Sequence, residues 1–183
     1  MSQQDNSQQN ATGQGAKPHN NNKSQNLNAQ QKEFFDFFEG KTGFRPEKME
    51  LVSVSGTRSS LKTLGLELPT FQKDLWGLLL YCGEKLFFYI HPTEYSYMGL
   101  VRKGSSDEMK IEEQLVCFSD FVSFSVSVPM PRFRILKFFS NNHILTVSVT
   151  KQTVTGETET AVIQMQSLTK ASVLQQKLQP FVR

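Results

Sequence analysis

Between residues 48 and 166 the apolar runs are short and repeatedly broken by turn residues, and residues 167–182 then follow one helical pattern. Strands this short bury little alone and need a shared sheet, with an element packed over its apolar face. The clearest strand is Phe121–Val128, where Val122, Phe124, Val126 and Val128 alternate with serines at 123, 125 and 127. In the C-terminal stretch Leu168, Ala171, Val173, Leu174, Leu178 and Phe181 make a broad apolar face, with Lys170, Gln175, Gln176 and Lys177 mostly opposite. Ser167 or Thr169 is placed to cap that helix, and Pro180 limits its length. The expected fold is mainly β with some α. It is a partly open β-barrel or sandwich of about seven strands, capped by a C-terminal helix over 167–182.

The first part of the chain has a different composition. Residues 1–31 are dominated by Gln, Asn and Ser, with Leu27 the only large aliphatic after Met1. Such a segment buries too little apolar surface to offset its ordering entropy, so a disordered tail is expected there. Phenylalanines begin abruptly at Phe34, which sets a single domain over 32–183. A short extra helix over 32–39 opens it: Phe34, Phe35 and Phe38 fall on one face, and Gly40 is placed to end it. Packing of that helix across one end of the domain is favoured over partner docking, because four exposed phenylalanines would invite aggregation.

Strands are then expected at Lys48–Ser55 and Leu61–Leu68, separated by a loop at Gly56–Ser60. Asp74–Tyr81 and Lys85–Ile90 read as a hairpin turning at Cys82-Gly83-Glu84. Strands resume at Ile111–Cys117. A second hairpin joins Arg132–Ser140 to His143–Lys151 through Asn141-Asn142, and Thr160–Gln166 is the last strand, after a turn around Gly156. Residues 93–110 fit no element clearly.

The run from Gly77 through Leu78-Leu79-Leu80-Tyr81, the turn Cys82-Gly83-Glu84-Lys85, and Leu86-Phe87-Phe88-Tyr89-Ile90 resembles the opening phrase of the GRAM and bacterial PH-like branches of the pleckstrin-homology superfold. Ile111–Phe124, with its Asp120-Phe121 step, is similar to the strand pair that follows in that family. The resemblance spans residues 48–182 and implies a seven-stranded barrel plugged by the terminal helix. It also implies a binding module rather than an enzyme. Two family features differ here: the terminal helix has no Trp, since the only one is Trp76, and the first strands lack the basic pattern of phosphoinositide binders, offering only Arg58 and Lys62.

No catalytic constellation emerges. His19, His91 and His143 have no ligand-spaced partner, Cys82 and Cys117 read as packing or surface thiols, and no phosphate loop or nucleophile elbow occurs. No cofactor is expected. The net charge of +3 is small, and Lys17 and Lys23 against Asp5 place part of it in the tail, so nucleic acid is the least favoured partner. Arg132 and Arg134, among Phe133, Lys137, Phe138 and Phe139, would carry such binding if it occurred. Arg58, Lys62, Arg102 and Lys103 would form a basic rim for membrane lipid. The leading expectation is a cytoplasmic adaptor domain that binds a protein or peptide. Peripheral association with the inner face of the membrane is the alternative, as no apolar leader or spanning run is present.

Overall fold

The computed structural model describes residues 21–69, 72–91, 112–129 and 143–183. The first element is a helix, α1 (Asn21–Thr42). It starts ahead of the short helix expected over 32–39; residues 1–20 lie outside the described residues. The helix also runs past Gly40. Its end is set by Gly43, which takes a φ of 77° and donates its N–H to Glu39 O at 2.7 Å, the left-handed cap that glycine makes without a Cβ penalty.

Among the described residues seven strands follow: β1 (Lys48–Gly56), β2 (Asp74–Cys82), β3 (Lys85–Ile90), β4 (Gln114–Cys117), β5 (Ser123–Ser127), β6 (Ile144–Gln152) and β7 (Thr158–Ser167). All pair antiparallel in one sheet of order β4-β3-β2-β1-β7-β6-β5, which is not closed between β4 and β5. The β2–β3 hairpin forms where the sequence placed it, with Cys82 opposite Lys85 and Gly83 at φ 58°. The β6–β7 turn likewise forms around Gly156, at φ 83°. The expected partner hairpin arm at Arg132–Ser140 lies outside the described residues.

Two segments depart from expectation between β1 and β2. The predicted loop and strand over Gly56–Leu68 are instead a short helix, α2 (Arg58–Thr63), and an extended exit. Thr57 accepts the Ser60 N–H at its Oγ1 (3.1 Å), so the N-terminus is capped. At the other end Leu66 N–H reaches Leu61 O (2.8 Å) and Gly65 N–H, at φ 77°, reaches Lys62 O (2.9 Å). That is a Schellman closure, and it turns Leu61, Leu64 and Leu66 together into the core. The leucine alternation is therefore real but is not a strand.

β5 begins two residues later than expected. A three-residue turn at Phe118–Asp120 makes the corner after β4, and Val122 N–H bonds Thr150 O, which puts Val122 outside the core at 60 % exposure while Phe121 goes in. The terminal helix is shorter than 167–182: α3 (Ala171–Leu178) is followed by one tight turn at Gln179–Phe181. Neither Ser167 nor Thr169 caps it, since Ser167 closes β7 and its hydroxyl donates to Glu50 Oε1 (2.6 Å). Lys177 meets the same carboxylate at 2.7 Å, which ties α3 to β1.

The curled inner face of the sheet encloses the main core, with Val54, Leu75, Phe88, Phe124, Val147 and Met165 meeting Leu174 and Leu178 of α3 and Leu61 of α2. A second cluster sits on the outside. Phe34, Phe35 and Phe38 of α1 pack on Leu80, Cys82, Phe87 and Tyr89 of β2 and β3. The helix thus lies against the outer sheet face, not across one end. This explains why β3 reads as an almost unbroken apolar run: it is buried on both faces. Gly77 permits the tight β2–β3 contact, because a Cβ there would lie 2.7 Å from both Phe88 Cε2 and Tyr89 O.

Candidate functional site: the open seam beside β4

Among the described residues β4 pairs with β3 on one side and with no strand on the other, so it is an edge at the sheet's open seam. Alternation buries Val116 and leaves Leu115 exposed. The strand is held at both ends. At its start the Gln114 amide grips the exit of α2, accepting the Glu67 N–H (2.8 Å) and donating to Glu67 O (3.1 Å). At its end Ser119 Oγ accepts the Leu86 N–H and donates to Glu84 O, both at 3.1 Å, while Asp120 pairs with Lys85 at 2.9 Å. Phe118 anchors this corner from below, its ring centroid 5.3 Å from Phe124 and 6.4 Å from Phe121.

The result is a small groove of about 160 Å³ along the outer edge of β4. Leu64, Leu115 and Phe121 give it apolar walls, and Asp120 and Lys151 supply one charge of each sign. Lys85 holds the Asp120 carboxyl below its ordinary range, so the acidic side stays charged at neutral pH. Cys117 also lines the groove, but burial and then Asp120 raise its thiol. Burial and then Glu47 push Cys82 up to about 12. Neither sulfur is an activated nucleophile.

A second, wider basin of about 680 Å³ lies where α2 meets the β6–β7 turn, with Ser59, Lys62, Thr63, Lys151 and Glu159 on its walls. Of the basic rim expected from sequence, Lys62 lines this basin and Arg58 sits exposed on the same helix. Arg102, Lys103, Arg132 and Arg134 lie outside the described residues. Lys151 was not foreseen: it lies far along the chain, and only the antiparallel return of β6 brings it beside α2.

A third polar cluster joins α1 to the sheet. Glu113 accepts the Tyr89 hydroxyl (2.6 Å) and pairs with Lys41. Burial would raise the Glu113 carboxyl, but Lys41 and Tyr89 outweigh it and hold it low. The arrangement clamps the helix end to the sheet. Among the described residues, no group of three or more His, Cys, Asp or Glu side chains is placed to hold a metal ion, and no helix is long and apolar enough to cross a membrane.

Set against known proteins, the chain matches no family model, no curated protein and no solved structure.

Proposed function

We propose that this protein is a non-catalytic binding module of the pleckstrin-homology-like kind, which takes an extended peptide as an added strand on the edge of β4. The fold part of this reading is supported by two meanders, β1–β4 and β5–β7, joined by the β1–β7 pairing, and by a helix placed directly after β7. One observation carries the functional part: the β4 edge is unpaired among the described residues and opens on a groove with apolar walls and two charged flanks. Strand addition takes affinity from main-chain hydrogen bonds and specificity from pockets that receive alternate side chains. Here the groove would take one apolar side chain of the peptide, with Lys151 and Asp120 selecting its neighbours by charge.

Selection from a displayed library of extended peptides tests this. Peptides that bind should lose affinity at least about ten-fold when exposed Leu115 becomes Asp, a loss of about 1.4 kcal/mol. They should be unaffected by Val162→Asp on the distant outer face. Selected peptides that ignore Leu115→Asp, or a library yielding no binder tighter than about 1 mM, would overturn the reading.

A second reading, binding of anionic lipid headgroups, has one observation in its favour: Lys62 and Lys151 line the same open basin. Sedimentation with phosphatidylserine vesicles at low salt, lost in Lys62→Glu, would support it. Equal sedimentation of wild type and variant would remove it.

A further inference from the structure

The other side of the seam is not empty. Beyond α3 the chain turns through Gln179–Phe181 and lays Arg183 alongside β5. Arg183 N–H donates to Phe124 O and Phe124 N–H donates to Arg183 O, both at 3.0 Å. Such a reciprocal exchange is the unit from which antiparallel ladders are built. The guanidinium of Arg183 donates to Phe118 O at 3.4 Å and also to Ser119 O. These two carbonyls belong to the corner turn, and the Asp120 carboxylate follows them directly. Gln175 Nε2 takes Val126 O (3.3 Å) further along the same edge.

The edge of β5 therefore receives a main chain and an arginine at once, and Arg183 supplies both. The seat is shallow: Arg183 is exposed, and Val182 and Phe181 are only half-buried. Phe181 rests against Tyr81 of β2 at a centroid distance of 6.0 Å and Val182 against the core, but the groups that meet Arg183 belong to β5 and its corner, so another chain's arginine can satisfy the same atoms.

We propose that the β5 edge, with the carbonyls of Phe118 and Ser119, is a recognition slot for an extended peptide carrying an arginine, and that Phe181–Arg183 fills it in cis as a competitor. A partner must then displace a tethered occupant. A segment joined to α3 by one tight turn is presented at an effective concentration of at least about millimolar order, so a peptide of intrinsic Kd about 10 µM is weakened at least about 100-fold in the resting protein. The slot lies on β5 and stands or falls independently of the β4 edge.

The test uses the full chain and a fluorescein-labelled peptide with the sequence of residues 181–183 behind a Gly-Ser spacer. Arg183→Pro removes both the N–H and the guanidinium from the cis occupant without touching the core. Probe binding by anisotropy should be at least about ten-fold tighter to Arg183→Pro than to wild type. A probe in which Ala replaces the arginine should lose most of that gain. Arg183→Ala, which keeps the main-chain N–H, should fall between the two proteins. Equal probe affinity for wild type and Arg183→Pro, no binding to either up to about 1 mM, or indifference to the probe's arginine would each overturn the proposal. A wild-type dimer that Arg183→Pro abolishes would overturn the cis arrangement, because the occupant would then belong to a second copy.

Discussion

Replacing Phe38 by Ala should free α1 from the sheet while leaving the inner core folded. Phe38 is fully buried, and its ring meets Phe87 and Tyr89 edge-on at centroid distances of 5.5 and 5.7 Å. Truncating a buried phenylalanine costs about 3–5 kcal/mol. Nearly all of that contact lies between α1 and the outer faces of β2 and β3, so the loss falls on docking of the helix. Taking about 4 kcal/mol, the docked-to-undocked ratio should drop about a thousand-fold. Cys82 reports on this directly, because it is buried in the same outer cluster and has 5 % exposure. In a Cys117→Ser background, thiol labelling of Cys82 under native conditions should accelerate by about that factor. The main unfolding transition, followed by near-ultraviolet circular dichroism, should shift far less. Should Cys82 react no faster, or only as fast as global unfolding permits, α1 is not the separable cover inferred from the two clusters.

Other expectations are equally specific. Tyr81 has a buried hydroxyl with no hydrogen-bond partner among the described residues, so Tyr81→Phe should raise the urea midpoint by an amount equivalent to about 1 kcal/mol; a marked drop would mean the hydroxyl is satisfied. Gly77→Ala should cost about 1–3 kcal/mol or more, because its Cβ would meet the backbone oxygen of Tyr89 and the ring of Phe88, and an unchanged midpoint would refute the close approach. Stability should also decline on both sides of neutrality. Folding raises Cys82 from 9.0 to about 12, and also raises Tyr81 and Tyr89, so their contribution is complete below the unfolded values and is lost as pH rises through the folded ones. Glu50, Glu113 and Asp120 are lowered on folding, so what they contribute is present above their unfolded values near 4 and is lost as pH falls through the folded ones. Urea midpoints that do not fall from pH 7 toward about 10 or toward about 3 would contradict these assignments.

Much of the sheet was legible because local signals fixed it. The β2–β3 hairpin announced itself through a glycine between two apolar runs, and β1 and β7 ended within two residues of expectation. Leu61–Leu68 misled because a Schellman closure buries leucines at a spacing that imitates strand alternation. The shift of β5 was hidden for a related reason: Phe121 and Val122 are both apolar, and only the corner decides which of them turns inward. Residues 21–31 have too little apolar content to be read as helix, and their helical state continues from the phenylalanine face that follows. The seam was out of reach altogether. Its groove joins α2, β4, the corner and β6, and nothing local says that Leu64, Leu115 and Lys151 will become neighbours.

The position of α1 in the chain bears on how the protein is made. β2 and β3 include apolar stretches with high strand propensity, the kind that pair with other chains when left uncovered. Synthesis runs from the N-terminus, so the Phe34–Phe38 face leaves the ribosome before either strand does. The hairpin is therefore born with its cover already waiting, rather than standing bare until the last residues arrive. Moving the helix behind the strands in the chain would remove that head start. Soluble yield, more than final stability, is where the difference would show.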